Sequence, residues 1–243
     1  GFGNNYGIYN LSGSSPAISN NTITGGSGTN SGTIGCYGIY NSSSSPVISN
    51  NTITGGSGNS SINYGIYNDV SSPTMLNNTI TGGSGGGTTN YGIINVSTSS
   101  SSVISNNTIT GGTSGNTNYG IINYTSSSPA ISNNTIIGGG GSIFSYGIYN
   151  TSSSSPAISN NIITGGSSSN NHGIYNTSSA SPTISNNTIN AGTAGNVYAI
   201  SLYAGTVSAI RNNIIFCSGG TSQYGIVENA AINPAAFQNN NVF

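Results

Sequence analysis

The chain has 243 residues, with one Arg, no Lys, two acidic side chains and one His, for a net charge of −1 and a charged share of 1%. Nucleic acid and anionic membrane surfaces are excluded as partners, since both are bound through clustered Lys and Arg. Membrane insertion is excluded too, because no apolar run approaches the roughly 20 residues that span a bilayer.

The first unit sets the pattern. "YGIYN", residues 6–10, alternates like a strand, and "LSGSSP" follows as a serine-rich turn in which Pro16 restricts the backbone. A second strand, "AIS", ends at Asn20-Asn21, a pair suited to a tight corner because Asn tolerates the left-handed conformation. The third strand is "TIT", Thr22–Thr24, and a glycine-rich loop of variable length closes the unit.

Eight further units repeat this order. They begin at Tyr37, Tyr64, Tyr91, Tyr119, Tyr146, His172, Tyr198 and Tyr224, at spacings of 26 to 31 residues. A period of this size without helical 3.6-residue patterning predicts a β-solenoid. Three apolar columns mark its interior. The first runs from Ile8 through Ile39 and Ile66 to Ile226, the second from Ile18 through Met75 to Phe237, and the third from Ile23 through Ile53 to Val242. Stacked at about 4.8 Å, nine coils make a rod of about 43 Å. The whole chain, residues 1–243, reads as a single domain.

The unit "YGIYNSSSSPVISNNTITGG" resembles the repeats of right-handed parallel β-helix proteins of the pectate-lyase-like class. The resemblance implies an all-β, right-handed parallel β-helix of nine coils with about 27 residues and three short strands each. It also implies an asparagine ladder at the short corner, matched to Asn20, Asn50, Asn77, Asn106, Asn133, Asn160, Asn186, Asn212 and Asn239.

Catalytic groups are sparse. Asp69 and Glu228 lie six coils apart, about 29 Å, whereas paired glycosidase carboxylates sit within about 5–10 Å. Arg211 is one coil from Glu228 but on a different strand, and His172 replaces Tyr within an aromatic stack. Cys36, Cys217 and His172 do not cluster, so no metal or cofactor is expected, and the separated cysteines, both placed in closing loops, predict no disulfide. The expectation is a protein that is not an enzyme.

Two surface arrays stand out. Alternation turns Tyr9, Tyr40, Tyr67, Ile94, Ile122, Tyr149 and Tyr175 outward, an apolar stripe suited to a neighbouring protein face or to sugar rings. The pairs Thr22 and Thr24, Thr52 and Thr54, Thr79 and Thr81, and Thr108 and Thr110 face outward from the third strand, and the array resembles the Thr-x-Thr surface of β-solenoid ice-binding proteins. It decays after four rows. Asn-x-Ser/Thr sequons recur, for example at Asn10, Asn41 and Asn95. Neither end of the sequence shows a capping element, which points either to a segment of a longer solenoid or to self-association through end coils, head to tail or laterally. The expected role is an extracellular or cell-surface structural protein, a filament subunit or adhesin segment. Ice binding is the alternative, and a polysaccharide-binding or -degrading protein the third reading.

Overall fold

The computed structural model describes residues 3–27, 35–58, 62–85, 89–97, 101–204, 208–229 and 233–243. It forms three parallel sheets of nine strands each, and among the described residues there is no helix. Sheet 1 collects the long strands, such as Asn5–Leu11 and Ile62–Asp69. Sheet 2 collects three-residue strands such as Val47–Ser49, and sheet 3 those such as Thr52–Thr54. Equivalent residues pair from coil to coil, so Tyr37 meets Tyr64, Ile48 meets Met75 and Ile53 meets Ile80.

Each strand sends one large apolar side chain inward, onto its equivalents above and below. Ile39, Ile48, Ile53, Ile66 and Met75 are fully buried, at about 1.5–3 kcal/mol apiece. In the ninth row, which has a neighbouring row on one side only, Phe237 and Val242 are both 45% exposed.

Strict alternation fails at one place in every sheet 1 strand. A Cβ on Gly92 would lie 2.8 Å from Ile109 Cγ2 and 2.5 Å from the Gly120 carbonyl oxygen, so this position faces inward beside Ile93. Two consecutive inward residues shift the phase, and the tyrosines three residues apart both face outward. A small residue is needed for so close an approach of sheet 1 to sheet 3: glycine in eight strands and Ala199, fully buried, in the strand Asn196–Leu202.

The corner between sheets 2 and 3 uses its two asparagines differently. The first is left-handed, as at Asn50 (φ 57) and Asn106 (φ 56). The ladder is built by the second, which corrects the assignment to Asn20, Asn50, Asn77 and their equivalents. Asn51 Oδ1 accepts from the Asn21 backbone at 2.9 Å, and Asn51 Nδ2 donates to Ile18 O at 2.8 Å, Ser49 O at 2.9 Å and Asn78 Oδ1 at 3.1 Å. The same pattern continues through Asn107 and Asn134 to Asn240. The left-handed turn points the first side chain to solvent and leaves the second over the end of the core.

A second, unforeseen ladder runs inside sheet 1. Asn10 donates to Asn41 at 2.8 Å, and the chain of amides continues through Asn68, Asn95, Asn123 and Asn150 to Asn176. It stops there. The next residue in the column is Leu202, and Asn176 Nδ2 is left buried without a partner.

Candidate functional site on the aromatic wall

Because of the glycine shift, sheet 1 carries two adjacent columns of rings on its outer side. In the first column, consecutive rings from Tyr6 through Tyr37, Tyr64, Tyr91, Tyr119, Tyr146, His172 and Tyr198 to Tyr224 stack at 4.6–5.1 Å, within 14° of parallel. The second column holds Tyr9, Tyr40, Tyr67, Ile94, Ile122, Tyr149 and Tyr175, in register from coil to coil. Its rings meet the first column edge to face, for example Tyr64 and Tyr67 at 5.3 Å and 83°. Stacked and edge-to-face pairs are the favoured geometries of aromatic rings. The sequence stripe is therefore one half of a wider wall, and it is less exposed than alternation predicts. Tyr9 is exposed, Tyr40, Tyr67, Ile122, Tyr149 and Tyr175 are half-buried, and Ile94 is buried in register between Tyr67 and Ile122.

Stacking consumes the ring faces inside the columns: Tyr37 and Tyr146 are buried, and Tyr64, Tyr91, Tyr119 and Tyr198 are half-buried. Desolvation raises the phenols of Tyr37, Tyr64, Tyr119 and Tyr146, and pushes Tyr40, Tyr91 and Tyr175 up to about 12. The wall thus presents neutral hydroxyls at any physiological pH.

Both columns break in neighbouring coils. His172 replaces a Tyr of the first column, and Ser201 replaces the Tyr or Ile of the second. Their side chains meet, with His172 Nδ1 2.8 Å from Ser201 Oγ. Burial lowers the imidazole from its ordinary 6.5 to about 3, so it stays neutral. Tyr203, two residues along, swings over to stack on Tyr175 at 5.0 Å. Beside this break is a groove of about 290 Å³, lined by Phe144, Tyr146, Asn170, His172, Tyr175, Tyr198 and Tyr203. That is close to the lower end of small-molecule sites, about 300 Å³. Its walls combine apolar edges with hydroxyl, amide and imidazole groups.

The other sequence-derived positions lie elsewhere. Thr22, Thr52, Thr79 and Thr108 pair in register along sheet 3 and are exposed; Thr24 is exposed, and Thr54, Thr81 and Thr110 are half-buried. Asp69 ends a sheet 1 strand and accepts from Ser97 Oγ at 3.0 Å. Arg211 lies on sheet 2, where its Nε donates to Gln238 Oε1 at 3.0 Å. Cys36 lies in a sheet 1 strand, not in a loop, and both cysteines are free thiols. The sequons at Asn10, Asn41 and Asn95 fall in the buried ladder, where each amide nitrogen is committed to the next asparagine.

The family now follows. Residues 89–242 match the family described as "Right handed beta helix region", and the chain belongs to it. Two solved structures of mutants of the periplasmic alginate epimerase AlgG are similar in fold, with TM-scores of 0.55 and 0.51 and 13% identity. They cover 85% of this chain, which spans 47% and 46% of theirs, about half their length. The Dettilon tailspike protein (gp208) aligns at a TM-score of 0.38 and 13% identity, over 87% of this chain and 48% of its own. No curated protein matches the chain.

These findings correct the expectation that the chain is not an enzyme. The epimerase has this fold and is an enzyme, so sparse and widely spaced charged residues are no ground for excluding catalysis on this solenoid. At 13% identity the likeness itself concerns the fold alone.

Proposed function

We propose that this chain is a secreted or cell-surface solenoid of the adhesin or stalk type that holds an extended polysaccharide along the aromatic wall of sheet 1. The groove at the paired break, His172 with Ser201, carries this reading. It is a place where the wall opens to admit a sugar unit between aromatic edges and neutral hydrogen-bonding groups. Column hydroxyls recurring at roughly 4.8 Å suit a chain of hexose units running parallel to the rod axis. The alginate epimerase, with the same fold, acts on a polysaccharide by its name, which supports the substrate class. Its periplasmic location supports a protein outside the cytoplasm.

Tyr175→Ala and Tyr203→Ala remove one wall of the groove. Each is expected to weaken polysaccharide binding about tenfold, or 1.4 kcal/mol, in affinity electrophoresis, with the circular dichroism of the fold retained. Unchanged binding in both variants would contradict the reading.

A second reading rests on the register of the threonine rows, which form an exposed lattice on sheet 3. Ice binding there predicts thermal hysteresis that Thr52→Tyr and Thr79→Tyr abolish. Absence of hysteresis in the unmutated protein ends it.

A further inference from the structure

The groove sits on a surface with an unusual charge distribution, and this bears on which polysaccharide it takes. The chain's formal side-chain charges are Asp69, Arg211 and Glu228. The single cation, Arg211, is on sheet 2 and engaged with Gln238. Glu228, exposed at the end of its sheet 1 strand, pairs in register with Leu202 and lines a separate cavity with Ile226, Pro234, Phe237 and Val242. Asp69 is at the edge of the aromatic wall, where burial raises the phenols of Tyr40 and Tyr67 and the carboxylate charge adds to it. It is about three coils from the groove, or roughly 14 Å.

His172, the one groove residue able to become cationic near neutrality, is 4% exposed and held neutral by that burial. Asn170 contributes an amide whose oxygen accepts from Asn196 Nδ2 at 3.0 Å. The groove therefore offers hydroxyls, amides and ring edges, with no Lys or Arg among its lining residues and the Asp69 carboxylate farther along the same wall.

We infer that the polysaccharide held by this wall is uncharged, and that polyuronates are excluded. A carboxylate on each sugar unit would lose water against aromatic edges with no counter-charge to replace it, and burying an unpaired charge is costly. Sugar hydroxyls lose less water and regain hydrogen bonds from phenols and amides. This inference rests on the carbohydrate reading above and departs from the epimerase, whose named polymer is alginate.

The test is affinity electrophoresis of the full chain against neutral polymers (glucan, mannan, galactan and xylan) and two polyuronates, alginate and polygalacturonate. The expected result is retention by at least one neutral polymer, about tenfold tighter than by either polyuronate. That retention should be nearly unchanged between low and high salt, because no ion pair is screened. Asn170→Lys, which places a cation in the groove, should bring out salt-sensitive polyuronate binding. Tighter binding of a polyuronate by the unmutated chain would overturn the inference while leaving the carbohydrate reading intact. Binding of no polymer would sink both.

Discussion

Sheets 1 and 3 share a core and a coil pitch, yet they meet solvent in opposite ways. On sheet 3 the outward threonines touch little beyond their equivalents in the next coil, and Thr52, Thr79 and Thr108 stay exposed. On sheet 1 the outward rings cover one another so thoroughly that Tyr37 and Tyr146 are only 8% exposed. The wall of sheet 1 is a second apolar layer laid on the outside of the solenoid, whereas the face of sheet 3 is a solvated strand surface. The lesson is that outward direction and exposure are different properties. A large side chain repeated at about 4.8 Å buries itself against its copies.

The largest break in this comparison comes where the two sheets touch. Gly92→Val would drive a branched side chain into Ile109 of sheet 3 and the Gly120 carbonyl, and a loss of about 3 kcal/mol or more is expected in urea unfolding. The ladders come next. Asn107→Ala removes a side chain that donates to Met75 O, Ser105 O and Asn134 Oδ1 and accepts from the Asn78 backbone N–H, and about 3 kcal/mol is expected as these bonds are lost and the buried Asn78 N–H loses its acceptor. Asn176→Ala, at the end of the sheet 1 ladder, should cost only about 1 kcal/mol, because its Nδ2 already lacks a partner. Equal losses at the two positions would show that the ladders do not act through their amides.

The outer surfaces differ by less. Tyr119→Ala opens a gap between Tyr91 and Tyr146 and should cost about 2 kcal/mol, against under about 0.5 kcal/mol for Thr108→Ala, both read from denaturation midpoints. The sheets also differ in pH dependence, through a titrating group on sheet 1. His172 titrates near 6.5 when unfolded and near 3 when folded, so the unfolded state binds the extra proton first. Stability should fall as pH drops from about 6.5 toward 3, by at most about 1.4 kcal/mol per unit. His172→Phe should remove that slope, while a slope that persists would assign it to other groups.

Much of this architecture was readable in the sequence because the solenoid repeats its instructions. Ile39, Ile66 and Ile93 recur at the coil spacing, and the core they imply is the one observed. The misreadings fall where chemically similar residues receive different geometry. Nothing in "SNNT" distinguishes the asparagine that turns the chain from the one that builds the ladder; the left-handed φ of the first decides it. Period-2 counting likewise places one tyrosine column outside and gives no outward side to the other, the aromatic stack that His172 joins, because the small inward residue shifts the phase. For the groove a signal was present. His172 and Ser201 depart from their columns in consecutive units, but only the packed wall shows that the two departures meet.

The most direct test of the central claim, that sheet 1 is the binding face, is hydroxyl-radical footprinting with and without a saturating neutral polysaccharide. The account predicts protection of Phe144, Tyr175, Tyr198 and Tyr203, with Ile162 and Ile214 on sheet 3 labelled equally in both states. Protection of the sheet 3 isoleucines, with the aromatic wall unchanged, would contradict it.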